Sequence, residues 1–408
     1  MLKKISLALI SSFLCVSSQA ESDNVFHNSL MVLDTHLDTP ALLVRPGFDI
    51  MESHSHDKDF SQVDIPRMEK GGLDGGFWVI YTPQGPLTKE GYQSNRDTAL
   101  LRSMAIHNMV EKHSDTFELA TLAEDGPRIH KSGKKVVYIS MENAYPLGED
   151  ISLLTTFYKM GLRMMGPVHF KNNQFGDSST DPDGPKWGGL SPLGKELVKE
   201  ANRLGIVLDG SHGHDALVVD LIEQSKTPII LSHTGTKAIY DHPRNIDDKL
   251  LRKLAKSGGV IHVNAYSSYL KKLPQDPSRK IAYGKLFKLV ANKSSTFSAK
   301  EWQEVNQKRY AIDQEHPEVK ATFDDYMEHF LHILKIAGPK HVGVGADWDG
   351  GGGVVKMMDI VTLPLITQRL IDEGYSKQDL ADIWGENALR LIKNAQEYAE
   401  NLNKNNAG

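Results

Sequence analysis

The sequence predicts an α/β protein folded as a (β/α)8 TIM barrel with long loops around its active-site end. Apolar runs alternate with amphipathic helical segments along nearly the whole chain, which is typical of parallel βαβ units. Eight of these runs have the character of strands, and eight parallel strands close a barrel. Polar side chains close several of the runs, as expected of an enzyme whose site lies at the strand ends. The predicted strands end near His36, Tyr81, Glu142, His169, His212, His233, Tyr266 and Asp347.

The first twenty residues have the parts of a signal peptide. Lys3 and Lys4 precede the apolar run Ile5–Val16, and Ser18–Ala20 has the small-residue spacing of a signal-peptidase site. The apolar run is too short to cross a membrane, which takes roughly twenty residues. We therefore expect residues 1–20 to be a removed leader and the mature chain to be exported, periplasmic and soluble, without a stable membrane anchor.

Composition limits the chemistry of the mature chain. Cys15 is the only cysteine, so a chain without the leader has no disulfide and no thiolate for catalysis or metal binding. A lipoprotein site at Cys15 is the weaker alternative, because the bulky Leu14 precedes it. Loss of the two leader lysines changes the formal net charge from −5 to −7. This mild acidity disfavours nucleic acid as a partner.

Residues 21–400 are expected to form one barrel domain, followed by a polar tail at residues 401–408. Two connections are longer than a barrel requires, namely residues 41–60 and residues 271–322. The second is polar and contains a helical piece. We expect it to be an inserted helical segment near the active-site rim.

One helix between the strands has clear signals at both ends. Ser191 is a typical capping residue, and Pro192 suits the first helical turn. Gly205 follows Leu204 as a stop signal. The sequence therefore predicts a helix over Ser191–Leu204.

Candidate metal ligands follow the predicted strands. His36 and Asp38 are two residues apart in LDTHLDTP, so they face the same side of a strand. The pair alone is a weak signal, because His-x-Asp triplets often arise by chance. Glu142, His212 and His233 close three other strands. Because the carboxyl ends of the strands meet on one rim, we expect these five side chains to converge.

Nitrogen and oxygen ligands without sulfur suit Zn²⁺, with Mn²⁺, Co²⁺ and Fe²⁺ as alternatives. Five protein ligands are too many for one catalytic zinc with an open position, but they suit two metals about 3.5–4 Å apart. We therefore expect two Zn²⁺ per chain, with Glu142 as the bridge. Charge balance requires one further carboxylate. Strand parity does not choose between Asp347 and Asp349, but Asp347 comes first after the strand, and Asp349 beside Gly350 is typical of a turn.

Several longer motifs carry a resemblance to a known family. Together with the H-x-D pair and Glu142, they resemble the membrane (renal) dipeptidase family of the amidohydrolase superfamily, from about Leu33 to Ile392. The motifs are GLRMMGPVH ending at His169, GGLSPLGKELVKEANRLGIVLDGSH, PIILSH, RNIDD beginning at Arg244, VNAYSSY, HFLHILKIAG and GADWDG.

The resemblance implies a zinc dipeptidase and assigns the metal ligands. His36 and Asp38 would hold one zinc, His212 and His233 the other, and Glu142 would bridge them. The implied reaction is attack of a bridging hydroxide on the peptide carbonyl. A homodimer is also implied.

The same resemblance assigns four residues around the substrate. His169 would contact the scissile carbonyl and stabilise the oxyanion, and Tyr269 would lie beside the substrate. Asp347 would take the water proton and pass it to the departing amine. Arg244 would pair with the substrate carboxylate, because a guanidinium presents a bidentate fork to such a group. A dipeptide with its free C-terminus is therefore the expected substrate.

Two departures from the family pattern concern the substrate pocket. Asn143–Tyr145 stands where glycines are common, and Trp348 stands in place of a usual phenylalanine. The alternative functions are another amidohydrolase-type reaction, on a lactone, a phosphotriester or an N-acyl amino acid, and an inactive exported binding protein. The second is disfavoured because a binder needs neither a bridging Glu142 nor Asp347.

Overall fold

The computed structural model of the chain describes residues 25–293 and 296–407. The predicted leader lies outside the described residues. The strands are β1 (Leu33–Leu37), β2 (Gly75–Tyr81), β3 (Phe117–Leu119), β4 (Lys135–Glu142), β5 (Leu162–Met165), β6 (Val207–Leu208), β7 (Ile230–Thr236), β8 (Asn245–Ile246), β9 (Val260–Val263) and β10 (Val342–Val344).

Helices separate most of these strands. They are α1 (Pro40–Leu43), α2 (His56–Asp59), α3 (Ile65–Gly71), α4 (Lys89–Lys112), α5 (Asp125–Lys131), α6 (Leu153–Lys159), α7 (Pro192–Leu204), α8 (Asp215–Gln224), α9 (Asp248–Lys256), α10 (Ser267–Leu270), α11 (Pro277–Lys293), α12 (Ala299–Glu315), α13 (Phe323–Ala337), α14 (Pro364–Asp372), α15 (Lys377–Ala381) and α16 (Asn387–Ala407). Short 3₁₀ turns cover Tyr145–Leu147, Pro339–His341 and Ile360–Thr362, and a π-helical turn covers Asp382–Glu386.

The strands form a closed ring of parallel neighbours. One sheet has the order β1-β2-β4-β5-β6, and the other has the order β10-β9-β7-β8. The bridge between Asp209 and Ile230 joins β6 to β7, and the bridge between Leu37 and Trp348 joins β1 to β10. The ring is thus β1-β2-β4-β5-β6-β7-β9-β10, with β3 and β8 as short additions outside it. The predicted barrel is confirmed.

Several strands end earlier than their apolar runs suggest. β5, β6, β9 and β10 stop three or four residues before His169, His212, Tyr266 and Asp347. The chain turns at these points, since His212 and Asp347 have φ of 65° and 66°, a left-handed conformation that a strand does not contain. The loops thereby bend these side chains over the barrel mouth.

The lower part of the barrel interior is filled by apolar side chains from alternate strand positions. Each such side chain stabilises the fold by about 1.5–3 kcal/mol when fully buried. α16 packs against the same cluster through Leu391 and Ile392. The strand residues in this cluster are Leu33, Phe77, Val136, Tyr138, Met164, Val207, Ile230 and Val260.

The helix predicted from its end signals is present as α7. The Ser191 hydroxyl accepts a hydrogen bond from the backbone of Gly194, and Gly205 ends the helix with φ of 81°. The C-terminal helix α16 continues to Ala407, so residues 401–407, predicted as a polar tail, are helical. No helix in the described part of the chain is long and apolar enough to cross a membrane.

Residues 271–322 contain a helical pair, α11 and α12, with a small core of their own formed by Leu286, Phe297 and Val305. α12 packs against α2, in the long connection of residues 41–60. The Cβ of Ala299 leaves no room for a side chain at Gly47, since an added Cβ there would lie 2.9 Å away. The two long connections therefore contact each other beside the barrel mouth.

Candidate metal centre

The five predicted metal ligands lie together at the carboxyl end of the barrel. His36, Glu142 and His233 belong to β1, β4 and β7, while Asp38 and His212 lie in the loops after β1 and β6. All five side chains are buried. With His169 and Asp347 they form three overlapping groups, whose ligand atoms lie within 4.8 Å of one another in each group. The groups are His36, Glu142 and His233; Glu142, His169 and His212; and His36, Asp38 and Asp347.

Glu142 lies at the centre and presents its two oxygens to different histidines. Its Oε2 is 3.7 Å from Nε2 of His36. Its Oε1 is 2.9 Å from Nε2 of His212 and 3.3 Å from Nε2 of His233. One carboxylate therefore faces two separate sets of nitrogen ligands, which is the arrangement a bridging carboxylate requires.

The polar atoms of these side chains are better placed to bind a metal ion than to form hydrogen bonds with one another. Both ring nitrogens of His36 are buried without a hydrogen-bond partner, as are Oδ1 of Asp38 and Nδ1 of His212. Buried polar groups rarely stay unpaired without a functional reason. Space is also kept free, because a Cβ at Gly350 would lie 2.1 Å from Oδ2 of Asp38 and 2.2 Å from Oδ1 of Asp347. The residues present therefore suit cations bound between them.

A hydrogen-bonded chain behind His233 fixes which of its nitrogens is protonated. The Ser232 hydroxyl donates to Oδ2 of Asp209 at 2.5 Å, and Oγ of Ser232 also lies 2.8 Å from Nδ1 of His233. Since the serine hydrogen is used on the carboxylate, Nδ1–H of His233 must donate to the serine. Nε2 is then left with a lone pair that faces the centre.

Asp209 and Ser232 were not predicted from the sequence. Their only signal in the sequence is proximity to a predicted ligand, since Asp209 lies three residues before His212 in LDGSH and Ser232 directly precedes His233 in LSH. Asp209 also accepts hydrogen bonds from the backbone of Ser211 and Ser232. It therefore ties the loop that carries His212 to strand β7, which carries His233.

Burial and charge set the protonation of the centre. Burial lowers the pKa of His212 and of His233 well below the usual histidine value, so both rings are neutral. Burial alone would raise the pKa of Glu142, but His169, His36 and His212 outweigh it and hold the pKa well below its usual range. Neutral imidazoles and an ionised carboxylate are the forms that bind metals.

His36 differs from the other histidines. Burial alone would lower the pKa of His36, but Glu142 and Asp38 outweigh it and raise the pKa well above the usual value. Nε2 of His36 is 3.5 Å from Oδ2 of Asp38. The two carboxylates therefore attract positive charge to this position, as a proton or as a metal ion.

The structure separates the two aspartates that strand parity left equivalent. Asp349 uses both carboxylate oxygens, accepting from Gln62 N and from the Thr39 hydroxyl at 2.6 Å each, so it fastens the loop. Asp347 instead faces His36 and Asp38. Burial raises the pKa of Asp347 well above the usual value, and the charges of Asp38 and Glu142 add to the rise. Asp347 therefore binds a proton more readily than an ordinary aspartate does.

The three predicted substrate residues surround the centre. Nε2 of His169 is 3.9 Å from Oε1 of Glu142, and its ring packs against that of His212. Arg244 is buried, donates from Nη2 to the carbonyl of His233, and leaves Nε without a partner. Its guanidinium lies 5.2 Å from the ring of Tyr269. Arg244 and Tyr269 thus stand on one side of the mouth.

Two aromatic residues next to His169 were also not predicted as part of the site. The ring of Tyr81 lies 4.8 Å from that of His169, and the ring of the exposed Phe170 lies 3.8 Å from it. Tyr81 was used only to mark the end of a strand. The sequence gives no signal that would separate Phe170 from any other loop aromatic.

Known proteins of similar sequence and structure can now be compared with this geometry. "Dipeptidase tcpJ" of Claviceps purpurea is 27% identical over 359 residues, covering 86% of this chain and 74% of the relative. The probable dipeptidase PvdM of Pseudomonas aeruginosa has a crystal structure with a TM-score of 0.77 and 28% identity, covering 93% of this chain and 99% of that one.

A metallopeptidase of Rhodobacter sphaeroides, solved with a phosphinate mimic of the dipeptide L-Ala-D-Ala, has the same fold, with a TM-score of 0.71 and 23% identity over 90% of this chain and 99% of that one. The model of the membrane dipeptidase family, peptidase family M19, matches residues 20–406. This match spans the barrel and every residue of the centre described above. The chain belongs to the membrane dipeptidase family.

Proposed function

We propose that the chain hydrolyses dipeptides with two zinc ions that share Glu142. The observation that carries the proposal is the position of this carboxylate, with Oε2 toward His36 and Oε1 toward His212 and His233. His36 and Asp38 would hold one ion, and His212 and His233 the other. Imidazole and carboxylate donors without sulfur suit zinc, with Mn²⁺, Co²⁺ and Fe²⁺ as the alternatives.

Bound there, the two ions would supply an activated water and polarise the scissile carbonyl. His169 would donate a hydrogen bond from its ring to the oxygen on which negative charge develops, since burial lowers its pKa and keeps the ring neutral. Asp347 would accept the proton of the attacking water. Its raised pKa then allows it to pass that proton to the departing amine.

The size of the substrate follows from Arg244. Its unpaired Nε and its position beside Tyr269 suit a carboxylate at this side of the mouth. A peptide whose carbonyl lies at the metals and whose carboxylate reaches Arg244 has one residue after the scissile bond. The relatives named as dipeptidases support the same reading.

The place of action is part of the proposal. The leader signals in residues 1–20 support export, and we propose that the mature chain acts in the periplasm without a membrane anchor. Secretion of a full-length fusion to a periplasmic reporter, compared with one lacking residues 1–20, tests this. Equal export of both fusions would contradict it.

A hydrolysis screen tests the substrate class. Purified enzyme with added Zn²⁺ is offered L-Xaa-L-Xaa and L-Xaa-D-Xaa dipeptides, including L-Ala-D-Ala, beside lactones and N-acyl amino acids. We expect dipeptides to be cleaved and Glu142→Gln to abolish the cleavage. Turnover of lactones or N-acyl amino acids without any dipeptide would assign the centre to another amidohydrolase reaction. Binding without turnover of any compound would indicate an inactive binder.

A further inference from the structure

Within the described part of the chain, no acidic side chain forms an ion pair with three arginines beside the barrel mouth. Surface arginines such as Arg128 and Arg203 each pair with a carboxylate. Arg45, Arg102 and Arg309 form no ion pair with any carboxylate of the described residues, and the buried Nε atoms of Arg102 and Arg309 have no hydrogen-bond partner. The three side chains are half-buried, and partial removal of a guanidinium from water without an anion is costly, so its retention calls for a ligand or another role.

Aromatic rings hold the three guanidinium groups in place. Arg45 stacks on Trp302 at 4.3 Å, and Arg309 stacks on Phe60 at 3.6 Å. These contacts join the connection of residues 41–60 to the inserted helix α12. Such stacking fixes the planar group while leaving its N–H donors free for an anion.

Arg102 belongs to the wall of the catalytic site. It extends from α4, donates to the carbonyl of Tyr81 and lies 5.3 Å from the Tyr81 ring, which contacts His169. Arg45 follows α1, which begins two residues after Asp38 and packs against β2 and against α4, the helix that carries Arg102.

The nearest acids are already engaged. Asp349 uses both oxygens on Thr39 and Gln62, and Asp59 accepts from His54 and Ser61. Asp313, near Arg309, accepts from Tyr283 and pairs with Arg279, while Asp38 and Glu142, near Arg102, belong to the metal-ligand groups. Burial lowers the pKa of Arg45 to about 10, and the charges of Arg309 and Arg102 contribute. The stacking contacts bring Arg45 and Arg309 to the place where residues 41–60 meet α12, and neither guanidinium pairs with a carboxylate of the described residues.

The position of this cluster identifies the part of the substrate it meets. In the strand ring β2 stands opposite β7, so Tyr81 and Arg102 lie across the mouth from His233 and Arg244. A dipeptide with its carboxylate at Arg244 and its carbonyl at Glu142 would extend its N-terminal residue toward Arg102 and Arg45. The arginines would repel the free ammonium of that residue, and a negatively charged side chain on the same residue would offset this repulsion.

We propose that Arg45, Arg102 and Arg309 select dipeptides whose N-terminal residue has a carboxylate side chain, glutamate or aspartate. The inference rests on the proposed dipeptidase function. It assigns the inserted helix α12 a role, because α12 supplies Arg309 and the ring on which Arg45 stacks. A charge-assisted pair with the side-chain carboxylate would favour such substrates by about tenfold or more.

The test compares L-Glu-L-Ala with L-Gln-L-Ala, which have nearly the same shape and differ in charge. For the zinc-loaded enzyme we expect kcat/KM for the glutamyl dipeptide to be about tenfold higher or more. In Arg45→Gln and in Arg309→Gln the ratio should fall toward one, whereas Arg45→Lys should keep part of it. Arg252→Gln, on the exposed face of α9, should leave the ratio unchanged.

Equal hydrolysis of the two dipeptides by the wild type would overturn the inference while leaving the dipeptidase function in place. A preference that survives both Arg45→Gln and Arg309→Gln would also overturn it, since the selection would then come from elsewhere. If the enzyme hydrolyses none of L-Ala-L-Ala, L-Ala-D-Ala and the two test dipeptides, the proposed function is wrong and the inference fails with it.

Discussion

The Ser232 hydroxyl accepts the Nδ1 hydrogen of His233 at 2.8 Å while donating its own hydrogen to Asp209. The ring of His233 is thereby held with Nε2 unprotonated and directed at Glu142. Residues that orient a metal ligand in this way commonly contribute 10–100-fold to affinity. Ser232→Ala should therefore weaken zinc binding by roughly 10–100-fold, measured by competition with a chromophoric chelator.

A matched control for this variant is Ser257→Ala, which removes a hydroxyl that donates to the carbonyl of Leu254 at the end of α9. Its zinc affinity should equal that of the wild type. If Ser232→Ala binds zinc as tightly as this control, the hydrogen-bonded chain does not orient His233.

Asp347→Asn should lower kcat by about 10²–10⁴-fold, the range typical of a lost general acid–base group. An amide can neither accept the water proton nor deliver it to the amine. Zinc content, measured by mass spectrometry of the digested metal, should stay near the wild-type value.

Asp349→Asn is the comparison for Asp347→Asn, because Asp349 fastens the loop through Thr39 and Gln62. We expect it to lower the free energy of unfolding by about 1–3 kcal/mol with a smaller effect on kcat. A larger decrease in kcat for Asp349→Asn than for Asp347→Asn would assign the proton transfer to Asp349.

Arg244→Met should reduce kcat/KM for dipeptides by about 10–100-fold, because a charge-assisted hydrogen bond to the substrate carboxylate is lost. Arg244→Lys keeps the positive charge but not the bidentate guanidinium, so its decrease in kcat/KM should be smaller. Steady-state kinetics at constant metal content measure both. Unchanged dipeptide hydrolysis in Arg244→Met would show that the carboxylate is recognised elsewhere.

His262 predicts a pH dependence of stability that does not involve the metal centre. Burial lowers the pKa of His262 to about 4, below the unfolded value of 6.5. The unfolded chain therefore binds more protons between these values, and stability is lost as pH falls from about 6.5 toward 4. The loss at pH 5 is about 2 kcal/mol relative to pH 7.

His262→Asn removes this titration while keeping an amide that can donate to the carbonyl of Val344, as Nδ1 does. Chemical unfolding at pH 7 and pH 5 should give a smaller pH difference for the variant. His329, whose pKa burial also lowers to about 4, contributes equally to both proteins. Parallel pH curves for the two proteins would contradict the assignment.

The strand-forming runs predicted the barrel because its parallel strands are buried on both faces and so appear as continuous apolar segments. The same runs overestimated the lengths of β5, β6, β9 and β10. Their ends depend on turns such as those at His212 and Asp347, whose left-handed conformations no apolar pattern records.

The candidate ligands were predictable because each is a polar residue that ends an apolar run. What could not be predicted depends on contacts between distant segments. Ser232 is recognisable only once its hydrogen bond to Asp209 is seen, and the role of Asp349 in fastening the loop only once its bonds to Thr39 and Gln62 are seen. Arg45 and Arg309, 264 positions apart in the chain, come together only in the folded protein.

The most direct test of the account is to measure zinc per chain and dipeptide turnover together in wild type, Glu142→Gln and Glu196→Gln, the last on the exposed surface of α7. We predict about two zinc ions per chain in the wild type and in Glu196→Gln, since both keep the shared carboxylate. Glu142→Gln should lose at least one ion and more than about 100-fold in turnover. A wild type with fewer than one zinc, and a Glu142→Gln variant that hydrolyses dipeptides equally well, would contradict it.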